Sequence, residues 1–112
     1  MKEIKAIIDP GVLSKVMTAL HALPHFPGIT VSDANGQGRG EGPGGQFVAP
    51  ISWAFSKKVK LEMFCADAAC EELVQTIANA AYHGEAAHGM IVVIDVERAI
   101  RVRTGQQQEE AL

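Results

Sequence analysis

The chain has 112 residues, 47% of them hydrophobic and 21% charged, enough for one compact domain with a modest core and too few for two. Ten Lys and Arg against 13 Asp and Glu give a formal charge of −3, which argues against nucleic acid as a partner, since non-specific binding to a phosphate backbone needs positive charge. Cys65 and Cys70 are too few for a disulfide framework, no charged-then-apolar export signal opens the chain, and no apolar run approaches the ~20 residues of a bilayer span; a cytoplasmic protein without direct membrane insertion is expected.

Ile4, Ala6 and Ile8 alternate at period two and predict a first strand with one covered face. Asp9 followed by Pro10 reads as an N-cap with proline at the first helical position, and Val12, Leu13, Val16, Met17 and Leu20 share one face of a helix expected to run to about Leu23. Pro24, Pro27 and Gly28 break the chain before a β-branched stretch at 29–35, a second strand that Gly36 ends. Further on, Val59, Leu61, Met63 and Cys65 alternate with Lys58, Lys60, Glu62 and Phe64, the cleanest strand pattern in the chain. Asp67 can cap a following helix with Glu71 and Glu72 in its first turn and Leu73, Val74, Ile77, Ala80 and Ala81 on its buried face. Gly84 and Gly89 bracket a short loop before an apolar strand from Met90 to Val96. The order β-α-β-β-α-β predicts a ferredoxin-like α+β fold, with both helices on one face of a four-stranded antiparallel sheet. Two helices cover one face, so a sheet this apolar predicts association through the other.

Between the second and third strands the composition changes. Six glycines fall from Gly36 to Gly45 and no period is sustained as far as Ser56; a structureless stretch of this length inside a compact domain is usually functional. Its second half, QFVAPISWAF, gathers Phe47, Val48, Ile51, Trp53 and Phe55. Large aromatic side chains dominate many interfaces, which marks Phe47 and Trp53 as candidate contacts to a protein partner, while Phe55 fits equally well as an extension of the strand beginning near Lys57. The GEGPGG at 40–45 satisfies a GxGxxG pattern, but no helix follows and the context of a dinucleotide fingerprint is missing.

The opening MKEIKAII, the segment GITVSDANGQGRG, KKVKLEM and above all AIRVRTG near the end resemble, in that order and essentially end to end, the PII signal-transduction family. The last block is the most specific, with Arg101, Arg103, Thr104 and Gly105 at the family's spacing. The resemblance implies a homotrimer with its sheets facing inward and an adenine nucleotide in each cleft between subunits. It also implies three mobile loops: a T-loop at about 37–56, a B-loop at about 82–89 and a C-loop at about 100–105. Family members dock the T-loop onto an enzyme or transporter, so the expected function is regulation of such a partner, a membrane transporter among the candidates, and not catalysis. Carried over by position, Thr30 and Phe64 lie at the adenine, Gly36, Gly38 and Arg39 at the T-loop base and Gly89 in the B-loop, with Ile7, Lys58, Glu62 and His88 completing the set; Arg101 and Arg103 reach across from the neighbouring subunit. Alternate residues of an extended segment project to one side, and paired guanidinium groups suit phosphate oxygens; from spacing alone the two arginines fit a solvated strand face or an intersubunit salt bridge as well.

Departures from the family pattern carry their own expectations. The glutamine that helps hold magnesium and 2-oxoglutarate aligns with Gly40, which argues against 2-oxoglutarate sensing and leaves magnesium open. In the B-loop the phosphate-binding lysine aligns with Met90 and an aspartate with His88; the lost charge disfavours ATP relative to ADP or AMP, a protonated His88 could replace the donor, and ADP, ATP and AMP all stay candidates for the bound nucleotide. The loop tyrosine that some relatives have modified is absent, the single tyrosine being Tyr82. The alternative reading is a metal-binding trimer of the CutA type, or a PII-like protein associated with heavy-metal efflux. No pair among His21, His25, His83, His88, Cys65 and Cys70 has structural-zinc spacing, so no metal ligand is assigned. A further alternative is a structural adaptor with a vestigial cleft. The domain expected is one unit over 1–112, ending in a polar tail at about 106–112.

Overall fold

Alternation in β1 (Lys2–Ile8) turns Ile4, Ala6 and Ile8 to a buried face, and β3 (Ser56–Cys65) does the same with Val59, Leu61, Met63 and Cys65. The two strands are antiparallel neighbours, with Ile4 opposite Met63 and Ala6 opposite Leu61, so their apolar rows form one surface. The structure, a computed structural model, describes residues 1–38, 55–84 and 89–112. On either side of the central pair lie β2 (Thr30–Gly36) and β4 (Met90–Asp95), giving the antiparallel order β2-β3-β1-β4. Helices α1 (Leu13–His21) and α2 (Asp67–Ala81) set Val16 and Leu20, and Leu73, Ile77 and Ala80, into the buried surface. Each Val, Leu or Ile among them is worth about 1.5–3 kcal/mol when fully removed from water. This is the ferredoxin-like βαββαβ arrangement that the periodicity predicts.

The helix ends differ from expectation. Residues Pro10–Val12 form a short 3-10 turn ahead of α1, and Asp9, although at the N-cap position of that turn, makes no side-chain capping bond. Its carboxylate is engaged elsewhere. The helix stops at His21 and not at Leu23, because the residue before a proline is driven from the helical region, and Leu23 precedes Pro24. Helix α2 starts at Asp67 with Ala66 at its N-cap, so Asp67 and not Glu71 or Glu72 is the first-turn carboxylate. Asp67 accepts from the Met1 ammonium at 2.7 Å, which holds its carboxyl below the usual range and ties the start of β1 to the start of α2.

The sheet face away from the helices is more mixed than the sequence suggests. Register places Glu3, Lys5 and Ile7 of β1 beside Phe64, Glu62 and Lys60 of β3, and beside Ile94, Val92 and Met90 of β4. The apolar exposure is concentrated at the β4 edge, where Met90 is 67% exposed, and at Phe64. After β4 the chain forms a hairpin: Ile100 bridges Gln107, and Arg101 N donates to Gln106 O at 2.8 Å. The polar stretch 106–112 then turns through a 3-10 segment, Gln108–Ala111, and returns Leu112 to the molecule partly buried.

Candidate functional site

At the start of β2 the sequence-predicted residues converge. Thr30 opposes Glu62 in register, Phe64 lies two residues along the same face of β3, and Arg101 comes from the C-terminal hairpin. Together with Gly28 and Leu112 they line an open cleft of about 220 Å³. The backbone reaches it through Gly28, whose φ of +94° is a conformation that favours glycine. About half of the Phe64 surface is open to solvent, beside two polar side chains and a guanidinium in the lining of the cleft. That combination suits a flat heteroaromatic ligand with an anionic group.

The arginines themselves are set on a turn. Gly105 N donates to Arg101 O at 2.8 Å, and Gly105 has a φ of +74°, so the expectation of an extended segment carrying both arginines on one side is corrected. The turn leaves Val102 99% exposed at its tip, with Arg101 and Arg103 exposed on either side. Arg101 lines the cleft; Arg103 is not among the lining residues.

A second group gathers toward the other end of β3. A Cβ on Gly36 would lie 3.1 Å from Lys58 Cγ, and one on Gly89 would lie 2.3 Å from the Ile7 carbonyl oxygen, so both glycines are sites of close approach. Lys58 Nζ donates to Asp9 Oδ1 at 2.6 Å, and His83 Nε2 lies 2.7 Å from Asp9 Oδ2. Gly38 follows two residues beyond β2, with open space around it. The sequence reads Asp9 as a helix cap and places His83 in a loop, and neither reading finds this group. Extending the register one step past Ile8 opposite Val59 sets Asp9 against Lys58, the signal that could have found the pair.

The two groups approach each other where Ile7 pairs with Lys60, two residues from Glu62, and are farthest apart at Gly36 and Thr30. Gly36 opposes Ser56 and Thr30 opposes Glu62, six residues of strand, or roughly 20 Å at the rise of a β-strand. Arg39, His88, Phe47 and Trp53, with Gly40, lie outside the described residues. Among the described residues no cluster of three or more His, Cys, Asp or Glu is arranged to hold a metal ion; His21 packs against the Phe26 ring at 4.6 Å. A larger cavity of about 500 Å³ opens beside Leu23, Phe26, Leu73 and Leu112, and none of the predicted nucleotide residues lines it. Cys65 borders that cavity, and burial pushes its thiol up to about 11.

The family model described as Nitrogen regulatory protein P-II matches residues 1–106. The chain is 39% identical over 117 residues to the nitrogen regulatory protein P-II of Rhodospirillum rubrum and 36% identical over 113 residues to the nitrogen regulatory protein GlnK of Escherichia coli, each match covering 100% of both chains. Among solved structures, Arabidopsis thaliana PII bound to citrate aligns with a TM-score of 0.81 and 32% identity, over 99% of this chain and 91% of that one. No helix among the described residues is long and apolar enough to cross a membrane. From its fold, its order of sequence blocks and these matches over its length, the chain belongs to the PII family of nitrogen regulatory proteins.

Proposed function

We propose that this chain is a regulator, not an enzyme, that assembles as a homotrimer, binds an adenine nucleotide in the clefts between subunits and controls a partner protein through the segment 37–56. The observation that carries this reading is the division of the predicted nucleotide residues into two incomplete groups toward opposite ends of the β2–β3 pair, Gly36 and Thr30 at their outer limits standing about 20 Å apart. Thr30, Glu62, Phe64 and Arg101 offer an aromatic face, polar groups and one guanidinium. Ile7, Gly36, Lys58 and Gly89 offer an ammonium and two glycines, Gly89 packed on the Ile7 carbonyl and Gly36 on the Lys58 side chain, and a glycine lets its N–H approach phosphate oxygens. Neither group alone is a nucleotide site, whereas the first from one copy facing the second from its neighbour makes one. Exposed apolar residues on β4 give the sheet face a reason to be covered by further copies.

In this reading Phe64 stacks on the base, Thr30 and Glu62 meet its polar edge, and Arg101 and Arg103 reach the phosphates, joined by Arg39 and His88. Met90 at the position of the family's lysine favours ADP or AMP over ATP. The partner is a protein, with Phe47 and Trp53 as its anchors, and a membrane transporter is the class the resemblance points to. The test is calorimetric titration of ATP, ADP and AMP into the wild type and Arg101→Ala. Removing a charged partner of a phosphate is expected to weaken binding by about 1.5–3 kcal/mol. Absence of binding for all three nucleotides, or binding indifferent to Arg101, contradicts the proposal.

A further inference from the structure

Asp9 sits inside the group of residues assigned to the phosphate end of the nucleotide. Gly36 closes on Lys58, Gly89 closes on the Ile7 carbonyl, and Asp9, two residues beyond Ile7, directs Oδ1 to Lys58 Nζ at 2.6 Å. Both side chains of the pair are largely removed from solvent, with 15% of Lys58 and 21% of Asp9 exposed. His83 Nε2 stands 2.7 Å from the other carboxylate oxygen. Screening by water is weak for such a pair, so the charge on Asp9 is felt by any anion approaching this end of the sheet. The Lys58 ammonium is already compensated, and a phosphate arriving there meets a carboxylate as well.

From this geometry we infer that Asp9 is a specificity-determining residue, selecting adenine nucleotides of lower charge by holding Lys58 in an internal ion pair, with His83 as the second partner of its carboxylate. The inference rests on the nucleotide-binding reading above and assigns a cause within this chain for the preference. Each added phosphate brings more negative charge towards the same carboxylate. The penalty therefore grows from AMP to ADP to ATP, while the base and ribose contacts stay unaffected. A purely structural ion pair behaves differently: its loss lowers stability and shifts all three nucleotides alike.

The experiment titrates AMP, ADP and ATP into the wild type, Asp9→Asn and the double variant Asp9→Asn with Lys58→Met, with thermal melting of each recorded separately. Asp9→Asn is expected to raise ATP affinity roughly tenfold while AMP shifts less than about twofold, because the freed ammonium acts on charge and not on the base. In the double variant the ATP gain disappears. Asp9→Ser replaces Asp9→Asn if the amide does not give a wild-type-like fold. An equal shift for the three nucleotides, or no gain for ATP, overturns the inference and leaves nucleotide binding standing. Failure of the wild type to bind any of them overturns the nucleotide reading and this inference with it.

Discussion

A side chain at position 89 has nowhere to go: its Cβ would sit 2.3 Å from the Ile7 carbonyl oxygen, at a φ of +148°. Gly89→Ala therefore has to shift the backbone where β4 begins, and denaturant unfolding is expected to show a loss above the roughly 1–2 kcal/mol of a left-handed conformation alone. Gly105→Ala, with a φ of +74° and open space around it, is expected to lose about that amount and no more; equal losses at the two positions would contradict the close approach. Cys65 gives a pH-dependent case. The core accepts its neutral thiol, so the folded chain keeps a proton that the unfolded chain releases near the ordinary value of 9.0, and burial raises the folded value to about 11. Its stabilising contribution is complete below pH 9.0 and is lost as pH rises toward 11. Between those limits the urea midpoint of the wild type should fall more steeply than that of Cys65→Val; parallel curves would contradict the assignment.

The strands β1 and β3 are legible in the sequence because alternation depends on the chain itself: Ile4, Ala6 and Ile8, and Val59, Leu61, Met63 and Cys65, are buried as their period requires. The end of α1 is less legible, since Ala22 and Leu23 are both compatible with a helix and the stop comes from the proline beyond them. The AIRVRTG block reads as extended because Ile100 and Val102 are β-branched, yet one backbone bond from Gly105 to Arg101 folds it into a turn. Of the candidate site, Thr30, Glu62, Phe64 and Arg101 of a single chain line one cleft, a grouping not legible in the sequence because the resemblance takes Arg101 as reaching across to a neighbouring subunit. The Asp9, Lys58 and His83 group does not announce itself, because its members come from three segments, with Asp9 separated by 49 residues from Lys58 and 74 from His83. Helix α2 offers a direct check on the packing: Ile77 is fully buried and Gln75 is exposed. Ile77→Ala is expected to cost about 2–5 kcal/mol and Gln75→Ala within about 0.5 kcal/mol, read by urea unfolding. A small loss at Ile77 would mean that α2 does not seat on the sheet as described.

At the scale of the whole molecule, the proposed site requires assembly. The apolar side chains Met90, Val92 and Ile94 share one face of the β4 edge, and light scattering is expected to report about three chains per particle, in keeping with closed cyclic symmetry. Val92→Asp places a charge in that face and should yield monomers with native-like secondary structure; an unchanged particle mass would move the interface elsewhere. Gly40 in place of the family's glutamine leads to a second expectation, that saturating 2-oxoglutarate leaves the ATP affinity unaltered. A marked synergy between the two ligands would assign that role to another residue. The most direct test of a nucleotide site shared between copies uses mixed oligomers of two defective chains. Arg101→Ala removes one half of the proposed site and Arg39→Ala the other, so homogeneous preparations of either should bind ADP weakly. Coexpressed, the two are expected to yield some sites that draw an intact Arg101 from one copy and an intact Arg39 from the next. Calorimetry of the mixture should then recover a fraction of sites with wild-type ADP affinity; recovery of none would contradict a site built between subunits.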